Sequence, residues 1–332
     1  MSMTEERKPN YRNRIMWLGI FVIVVFGGYS AGWLYVAGKL EAIAREAIAG
    51  LNRDGTSADC ANLVARGFPF RIGVYCDSVR FEDAPQKVTA SAAAFRSLAQ
   101  VYDPFHIVAE LDSPVRISAP TGSAFAFDWA NLRASARLSM DFPEQADAVV
   151  TALTANASAD GSAATRLFSA GSAEAHMLKT GNDLKLAASF ADATIDPKLL
   201  KGAVLPPLKG EAEITIKDGV NFVRFGSGSL RGQSGTIQTL AVSSGETAGL
   251  SLSGPFSVAE DGLVDADLTV TIRDPKALSA VLMKAFPAMA DQIRTSFAGL
   301  AVMGNSPTLP LKVSKGRAML GFIPLGNVPP LE

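Results

Sequence analysis

The chain has 332 residues, which is enough for one large or two medium domains with a sizeable buried core. Its 31 basic and 32 acidic side chains balance, so the composition excludes the strongly basic surface of a nucleic-acid-binding protein and predicts no nucleic-acid partner. Aromatic residues make up only 8%, and this scarcity, together with many small residues, favours long sheets over a compact enzyme core.

The first predicted element is a transmembrane anchor at residues 15–38. These 24 residues carry no charge, and a helix of this length crosses the roughly 30 Å hydrocarbon layer of a membrane. The alternative is a cleaved signal peptide, for which residues 42–44 (AIA) would be the cleavage site. The apolar run exceeds the roughly 7–15 residues of a typical signal sequence, which favours a retained anchor.

Basic residues before the anchor predict its orientation. They are Arg7, Lys8, Arg12 and Arg14. The positive-inside rule therefore predicts a cytoplasmic N-terminus at residues 1–14 and a single-pass protein of the bacterial inner membrane whose bulk is periplasmic.

Membrane-proximal helices are predicted over residues 39–66. An apolar stripe at helical spacing runs from Leu40 to Leu51, and the sequence NRDG ends it. Residues 57–64 (SADCANLV) have a capping-type start and are predicted to form a second, short helix. The periplasmic β-rich domain then occupies residues 67–332.

A β-strand is predicted next, over residues 68–76. Its apolar side chains alternate and are expected on one face: Phe68, Phe70, Ile72, Val74 and Cys76. Pro69 lacks an amide hydrogen, so it should lie among the first residues of the strand or at a sheet edge. The parity of the apolar residues changes afterwards, which predicts a break near Asp77 and Ser78.

The chain has two cysteines, Cys60 and Cys76, which lie 16 residues apart. In an oxidising periplasm such a pair predicts a disulfide that ties the strand to the preceding helix. Closing this loop is worth roughly 3 kcal/mol of chain entropy. Two buried free thiols, or a metal or redox pair, are the alternatives.

Alternating apolar and polar residues predict half-buried antiparallel strands in most of the remaining chain. The segments are 132–140, 184–190, 212–216, 250–258, 264–272 and 309–313. A helical block is predicted at about 275–302, where Asp274 and Pro275 are typical of a helix start. The predicted fold class is α+β and β-rich: an N-terminal transmembrane helix followed by large curved antiparallel β-sheets with a few packed helices.

No segment carries a catalytic, nucleotide-binding or metal-binding signature. His106 and His176 are isolated in the sequence, which suits neither a catalytic triad nor a metal cluster. Asp265 and Asp267 share one face of a predicted strand, where the alternation already explains them as solvated residues. We therefore expect no enzymatic activity, no catalytic residue, no cofactor and no bound metal.

Several short motifs resemble one known family. They are Gly67, Phe68, Pro69, Phe70 and Arg71 between the two cysteines, YDP at 102–104, Trp129 after an aromatic pair, and the ending LGFIPLGNVPPL at 320–331. With the N-terminal anchor, they resemble the uncharacterised bacterial membrane-anchored proteins of DUF family 2125. That family has no assigned activity, so the resemblance implies topology and fold but no catalytic residue. The chain is also similar, more loosely, to AsmA-like envelope proteins, whose curved sheets have apolar inner faces associated with lipid handling.

Two functions are expected from these patterns. The first is a non-catalytic envelope scaffold or assembly factor whose partners are the inner membrane and envelope proteins. The alternative is AsmA-like binding or transport of a phospholipid or another apolar ligand in a β-sheet groove. The alanines that would leave room for it are Ala134, Ala136, Ala212 and Ala266. Arg66 and Arg71 are candidate contacts to lipid head groups, and an open apolar groove would favour the second function.

Overall fold

The computed structural model describes residues 11–53, 55–120, 122–159, 164–225 and 230–331. Residues 1–10, with Arg7, Lys8 and most of the predicted cytoplasmic segment, lie outside the described residues.

The helices are α1 (Tyr11–Leu51), α2 (Gly219–Phe225), α3 (Pro275–Ala285) and α4 (Ala290–Val302), with a 3₁₀ turn at Pro287–Met289. The strands are β1 (Thr56–Ala61), β2 (Val64–Arg66), β3 (Arg71–Cys76), β4 (Ser78–Asp83), β5 (Val88–Ala92), β6 (Phe95–Gln100), β7 (Asp103–Leu111), β8 (Val115–Ser118), β9 (Ser123–Asp128), β10 (Asn131–Arg137), β11 (Gln145–Ala159), β12 (Thr165–Thr180), β13 (Asp183–Ile195), β14 (Leu208–Ile216), β15 (Ser234–Ser244), β16 (Ala248–Val258), β17 (Val264–Arg273), β18 (Thr308–Ser314), β19 (Arg317–Leu320) and β20 (Ile323–Asn327).

The described strands belong to one large antiparallel sheet that does not close on itself. Its main run of neighbouring strands passes through β2, β3, β6 and β7, and then from β10 to β20 in chain order. A second run, β1, β4, β5, β8 and β9, joins the first at β11. Residues 145–151 of β11 pair with β10 and residues 154–159 pair with β9, so one long strand carries both runs on the same edge.

Helix α1 is continuous over 41 residues, and it is long and apolar enough to cross a membrane. The predicted continuation of the helix beyond residue 38 is confirmed, as is its end at Leu51. Its C-terminal part packs on the sheet. Glu41 Oε1 accepts a hydrogen bond from the Ala65 amide at 2.8 Å, and the Arg45 guanidinium donates to the Leu63 carbonyl at 2.9 Å.

The prediction of a second membrane-proximal helix at residues 57–64 is wrong. Residues 56–61 form β1 and residues 64–66 form β2, so the helical part of the predicted segment 39–66 stops at residue 51. β1 pairs with β4 along its whole length, from Thr56 opposite Asp83 to Ala61 opposite Ser78. So short a segment has little helix stability of its own, and pairing in the sheet overrides its weak local preference.

The strands predicted from alternation are confirmed. They correspond to β10, β13, β14, β16, β17 and β18, although β10 ends at Arg137 rather than continuing to residue 140. The predicted helical block is also confirmed as α3 and α4. The Asp274 side chain caps α3 by accepting a hydrogen bond from the Ala277 amide at 3.0 Å, and Pro275 occupies the first helical turn. Pro287 separates the two helices, because its ring cannot continue α3.

The best-buried part of the sheet lies on β17 to β19. Ala266, Leu268, Val313 and Ala318 form a buried cluster, and Leu252 of β16 packs against it. From Leu252 the same face continues to β14, because Leu252 pairs with Leu240 and Leu240 pairs with Ala212. The apolar face therefore runs on from β19 to β14, and it is buried around Leu268 but exposed at Leu240, Val242 and Leu250 of β15 and β16.

Candidate functional site

An apolar groove crosses the six strands β7, β10, β11, β12, β13 and β14. Each strand contributes one alanine to a row on the same face: Ala109, Ala134, Ala148, Ala175, Ala188 and Ala212. Each of these alanines is the direct cross-strand partner of the next. Since neighbouring strands lie about 4.8 Å apart, the five intervals make a floor about 24 Å long.

A second row lies beside the alanines, two residues along each strand. Its members are Ile107, Ala136, Ala146, Met177, Leu186 and Ile214. The two rows line a groove of about 600 Å³, a volume within the range of known small-molecule sites. Ala134, Ala175 and Ala188 are exposed, so the floor of the groove is open to solvent.

Two features border the groove. On one side the Phe190 ring lies across Gly210, where an added Cβ would come within 2.2 Å of a ring carbon. Gly210 therefore makes room for an aromatic wall. On the other side α2 packs on β13, and this contact buries Val220 and Leu184 to 4% and 2% exposure. Phe190 and α2 therefore limit the groove in the direction of the strands, and its long axis runs perpendicular to them.

The predicted groove residues fall into two groups. Ala134, Ala136 and Ala212 line the groove as expected. Ala266 does not, because it lies in the buried cluster of β17 to β19, where β18 pairs with it. Four alanines of the row were not predicted: Ala109, Ala148, Ala175 and Ala188. Alanine at alternate positions of successive strands was the available signal, but only the register of the sheet brings them side by side.

The motif at residues 67–71 forms a turn between β2 and β3. The predicted placement of Phe68 and Phe70 on a strand face with Cys76 is therefore wrong, since β3 begins at Arg71. Gly67 has φ 122°, and a Cβ there would lie 2.7 Å from the Arg71 carbonyl oxygen, so this turn requires glycine. The predicted break after the strand is confirmed, because β3 ends at residue 76 and β4 begins at residue 78 in the other run of strands.

This turn packs on the apolar segment of α1. The Phe68 ring lies edge-on to the Trp33 ring at 5.5 Å between centroids and to the Phe26 ring at 6.4 Å. The Tyr29 hydroxyl donates a hydrogen bond to the Pro69 carbonyl. The turn therefore lies beside the helix segment predicted to cross the membrane.

Residues 33–329, which hold the turn, both cysteines and the groove, match the family described as "Uncharacterized protein conserved in bacteria (DUF2125)". The chain belongs to the DUF2125 family. No curated protein matches the chain. The DUF2125 match begins within α1 at Trp33, and it confirms the family that the motifs suggested.

In this DUF2125 protein Cys60 and Cys76 form a disulfide, with 5.3 Å between their Cα atoms. The predicted pairing is confirmed, but the bond joins β1 to β3 and not a helix to a strand. Because β1 pairs with β4, and β3 pairs with β2 and β6, the disulfide is a direct link between the two runs of strands.

Arg66 and Arg71, which lie on either side of the β2–β3 turn in this DUF2125 protein, differ in their surroundings. The Arg66 guanidinium lies 5.5 Å from the centroid of the Tyr75 ring, a cation–π distance. Arg71 is exposed directly after the turn, and its carbonyl accepts a hydrogen bond from Trp33 Nε1 at 3.0 Å. Contact of either arginine with lipid head groups stays a prediction.

The opposite face of the same strands in the DUF2125 sheet is polar. His176 Nδ1 lies 2.8 Å from Asp147 Oδ1, and its Nε2 lies 3.5 Å from a Glu174 oxygen. The hydrogen bond with Asp147 raises the pKa of His176, and the same bond lowers the pKa of Asp147. His106 pairs with Arg137 on β10, three strands from His176, so the two histidines do not form one site. On β11 and β12 the Asp147–His176 pair and the alanine row therefore lie on opposite faces.

Proposed function

We propose that this DUF2125 protein is a membrane-anchored protein that binds the acyl chain of a lipid in the groove of β7 to β14. The single observation that carries the proposal is the unbroken row of six alanines, three of which are exposed. A concave surface lined almost entirely by apolar side chains is the usual form of a small-molecule site. A row of methyl groups offers hydrocarbon contact with no hydrogen-bonding side chain, which suits a flexible alkyl chain.

The size of the groove supports an acyl chain rather than a compact ligand. Its floor is about 24 Å long, whereas the hydrocarbon of one membrane leaflet is about 15 Å thick. A lipid tail can therefore lie along the row at full length. Asp147 and His176 are the charged residues that border the groove, but alternation along β11 and β12 turns their side chains to the opposite face, where they pair with each other.

Helix α1 supplies the anchor in this proposal. Its apolar segment follows Arg12 and Arg14, which supports a cytoplasmic N-terminus and a periplasmic sheet in the bacterial inner membrane. Helix contacts to the sheet flank the alternative cleavage site at residues 42–44, through Glu41 on one side and Arg45 on the other. Cleavage there would cut an ordered helix that packs on the domain, which supports a retained anchor.

The scaffold or assembly role expected from the sequence would need no groove. In such a protein the apolar faces pack on one another, as they do around Leu268 on β17. On β10 to β13 three floor alanines are exposed instead. This difference between two parts of one face favours ligand binding as the function.

A photo-crosslinking experiment tests the proposal. The full chain is reconstituted in vesicles that contain a phospholipid with a photoreactive acyl chain, and crosslinked peptides are mapped by mass spectrometry. We expect crosslinks on the peptides that carry β10 to β13. Ala188→Phe should reduce them about tenfold, because a ring on the floor occupies the space of the chain and costs at least about 1.4 kcal/mol of binding.

The matched control is Ser189→Phe. Ser189 is the next residue on β13, it is also exposed, and it lies on the polar face. The control should crosslink like the natural chain. Equal crosslinking of both variants, or crosslinks confined to α1, would show that the groove holds no acyl chain.

A further inference from the structure

The β2–β3 turn packs on the segment of α1 that the proposed anchor places inside the membrane. The apolar span of α1 cannot begin before Ile15, because Arg14 is charged. A helix of about 20 residues crosses the hydrocarbon layer, so the boundary of this layer on the side of the sheet lies near Leu34. Phe26, which contacts Phe68 of the turn, precedes Leu34 by eight residues and therefore lies about 12 Å below that boundary. A tilt of the helix would move the boundary further along the chain and the turn deeper.

Most backbone carbonyls of the turn meet the requirement for such a position. Irregular backbone inside a bilayer must have its polar groups satisfied, because no water is present to pair with them. Within residues 67–71, four carbonyls accept hydrogen bonds. Their donors are the Arg71 amide for Gly67, the Tyr29 hydroxyl for Pro69, the Val101 amide for Phe70, and Trp33 Nε1 for Arg71. Pro69 contributes no amide hydrogen, which removes one donor that would need a partner.

Exposed apolar side chains continue from this turn along the same end of the sheet. They form a rim made of Phe68, Phe70, Val101, Tyr102, Phe105, Leu138 and Met140. Phe70 is 70% exposed and Tyr102 is 79% exposed. The rim lies on the β2–β3 turn, the β6–β7 hairpin and the end of β10, which neighbour one another through β3, β6, β7 and β10. Large aromatic side chains of this kind are typical of membrane interfaces.

The rim is continuous with the groove. Phe105 precedes the groove residue Ile107 by two positions on β7, so both lie on one face of the strand. Leu138 follows Ala136 by two positions, and its amide donates to the Phe105 carbonyl at 2.8 Å. An apolar path therefore leads from the rim to the second row of the groove.

We infer that the rim enters the domain-side leaflet of the membrane beside α1, and that an acyl chain passes from this leaflet over Phe105 and Leu138 into the groove. The second half of this inference rests on the proposed function, whereas the first half rests on the packing of the turn on α1. The membrane is the one occupant that fits, since the rim is continuous with the apolar helix that it touches. Arg71 lies level with Trp33, near the boundary, so the inference places its exposed guanidinium within reach of the phosphates of the head groups.

Fluorescence quenching by lipid tests the insertion. Phe70→Trp and Tyr102→Trp are made in the full chain and reconstituted in phosphatidylcholine vesicles, with and without bromine atoms on the acyl chains. The added fluorescence, measured as the difference from the parent chain, should be mostly lost in brominated vesicles. The control is Leu199→Trp, an exposed site that follows the other end of β13 and should keep its fluorescence. Unquenched tryptophans at both 70 and 102 would overturn the insertion.

A second measurement separates entry from binding. Phe105→Asp with Leu138→Asp puts two charges on the path without touching the alanine row. Crosslinking of the groove by a bilayer phospholipid should fall about tenfold, while crosslinking by a photoreactive fatty acid added to the detergent-solubilised chain should be unchanged. Normal crosslinking from the bilayer would refute the entry path and leave the groove intact. Loss of both signals would show that these residues form part of the binding site, which also contradicts the path.

Discussion

Removal of the disulfide should destabilise the sheet by about 3 kcal/mol and leave its groove unchanged. The double variant Cys60→Ala/Cys76→Ala opens a loop of 16 residues, and the entropy of closing a loop of that length corresponds to about 3 kcal/mol at 25 °C. The bond joins β1 to β3, which pair with different strands, so no hydrogen-bond ladder replaces it. For a large domain this loss corresponds to a fall in Tm of about 6 °C.

Thermal unfolding of the full chain in nanodiscs, followed by circular dichroism, measures the change. The natural chain treated with a reducing agent should unfold at the same lower temperature as the variant, because both lack the link. Groove crosslinking below the transition should match that of the oxidised chain. An unchanged Tm under oxidising conditions would refute the assignment of this link as a stabilising one.

Two further substitutions probe the sheet. Gly73→Ala should lower the free energy of unfolding by about 3 kcal/mol, because the added Cβ would lie 1.7 Å from the Ser97 carbonyl oxygen on β6. The control is Gly50→Ala, which has open space around it and should not lower the free energy of unfolding in the same chemical denaturation assay. Asp147→Asn should lower the pKa of His176, whose raised value reflects the hydrogen bond with Asp147, and a nuclear magnetic resonance titration of the His176 ring would detect the change. Because the folded pKa of His176 is raised and that of Asp147 is lowered, the natural pair stabilises the fold fully between about pH 3.8 and about pH 6.5. This contribution is lost as the pH rises through the folded pKa of His176 or falls through that of Asp147. A His176 pKa that is the same in both chains would exclude Asp147 as its cause.

Alternation carried most of the fold prediction. A half-buried antiparallel strand places successive side chains on opposite faces, so segments such as 264–272 were recognisable without any contact information. The helix start at Asp274 and Pro275 was equally local, because capping needs only the neighbouring amides. These elements were predictable because the residues that determine each of them lie within a segment of about ten residues.

Elements whose structure depends on distant partners were not predicted. β1 forms because β4 pairs with it, and nothing in residues 57–64 alone selects a strand over a short helix. The same holds for the turn at residues 67–71, where Phe68 packs on an aromatic cluster of α1 that lies some 40 residues earlier in the chain. Phe68 and Phe70 do alternate with Ile72 in the sequence, but in the structure both phenylalanines lie in the turn of the β2–β3 hairpin.

The alanine row differs from the rest of the apolar face in how its side chains are buried. On β17 the inward residue Leu268 is buried among partners, and burial of such a side chain contributes about 1.5–3 kcal/mol. A floor built only to pack would carry leucine or valine at the same positions on β10 to β13. Alanine gives up that stabilisation at six neighbouring strands, and α3 packs on a different strand, β16. Under the proposed function an acyl chain would cover the exposed alanines of this row, and the inferred insertion of the rim beside α1 would put the hydrocarbon of the bilayer at the end of the groove.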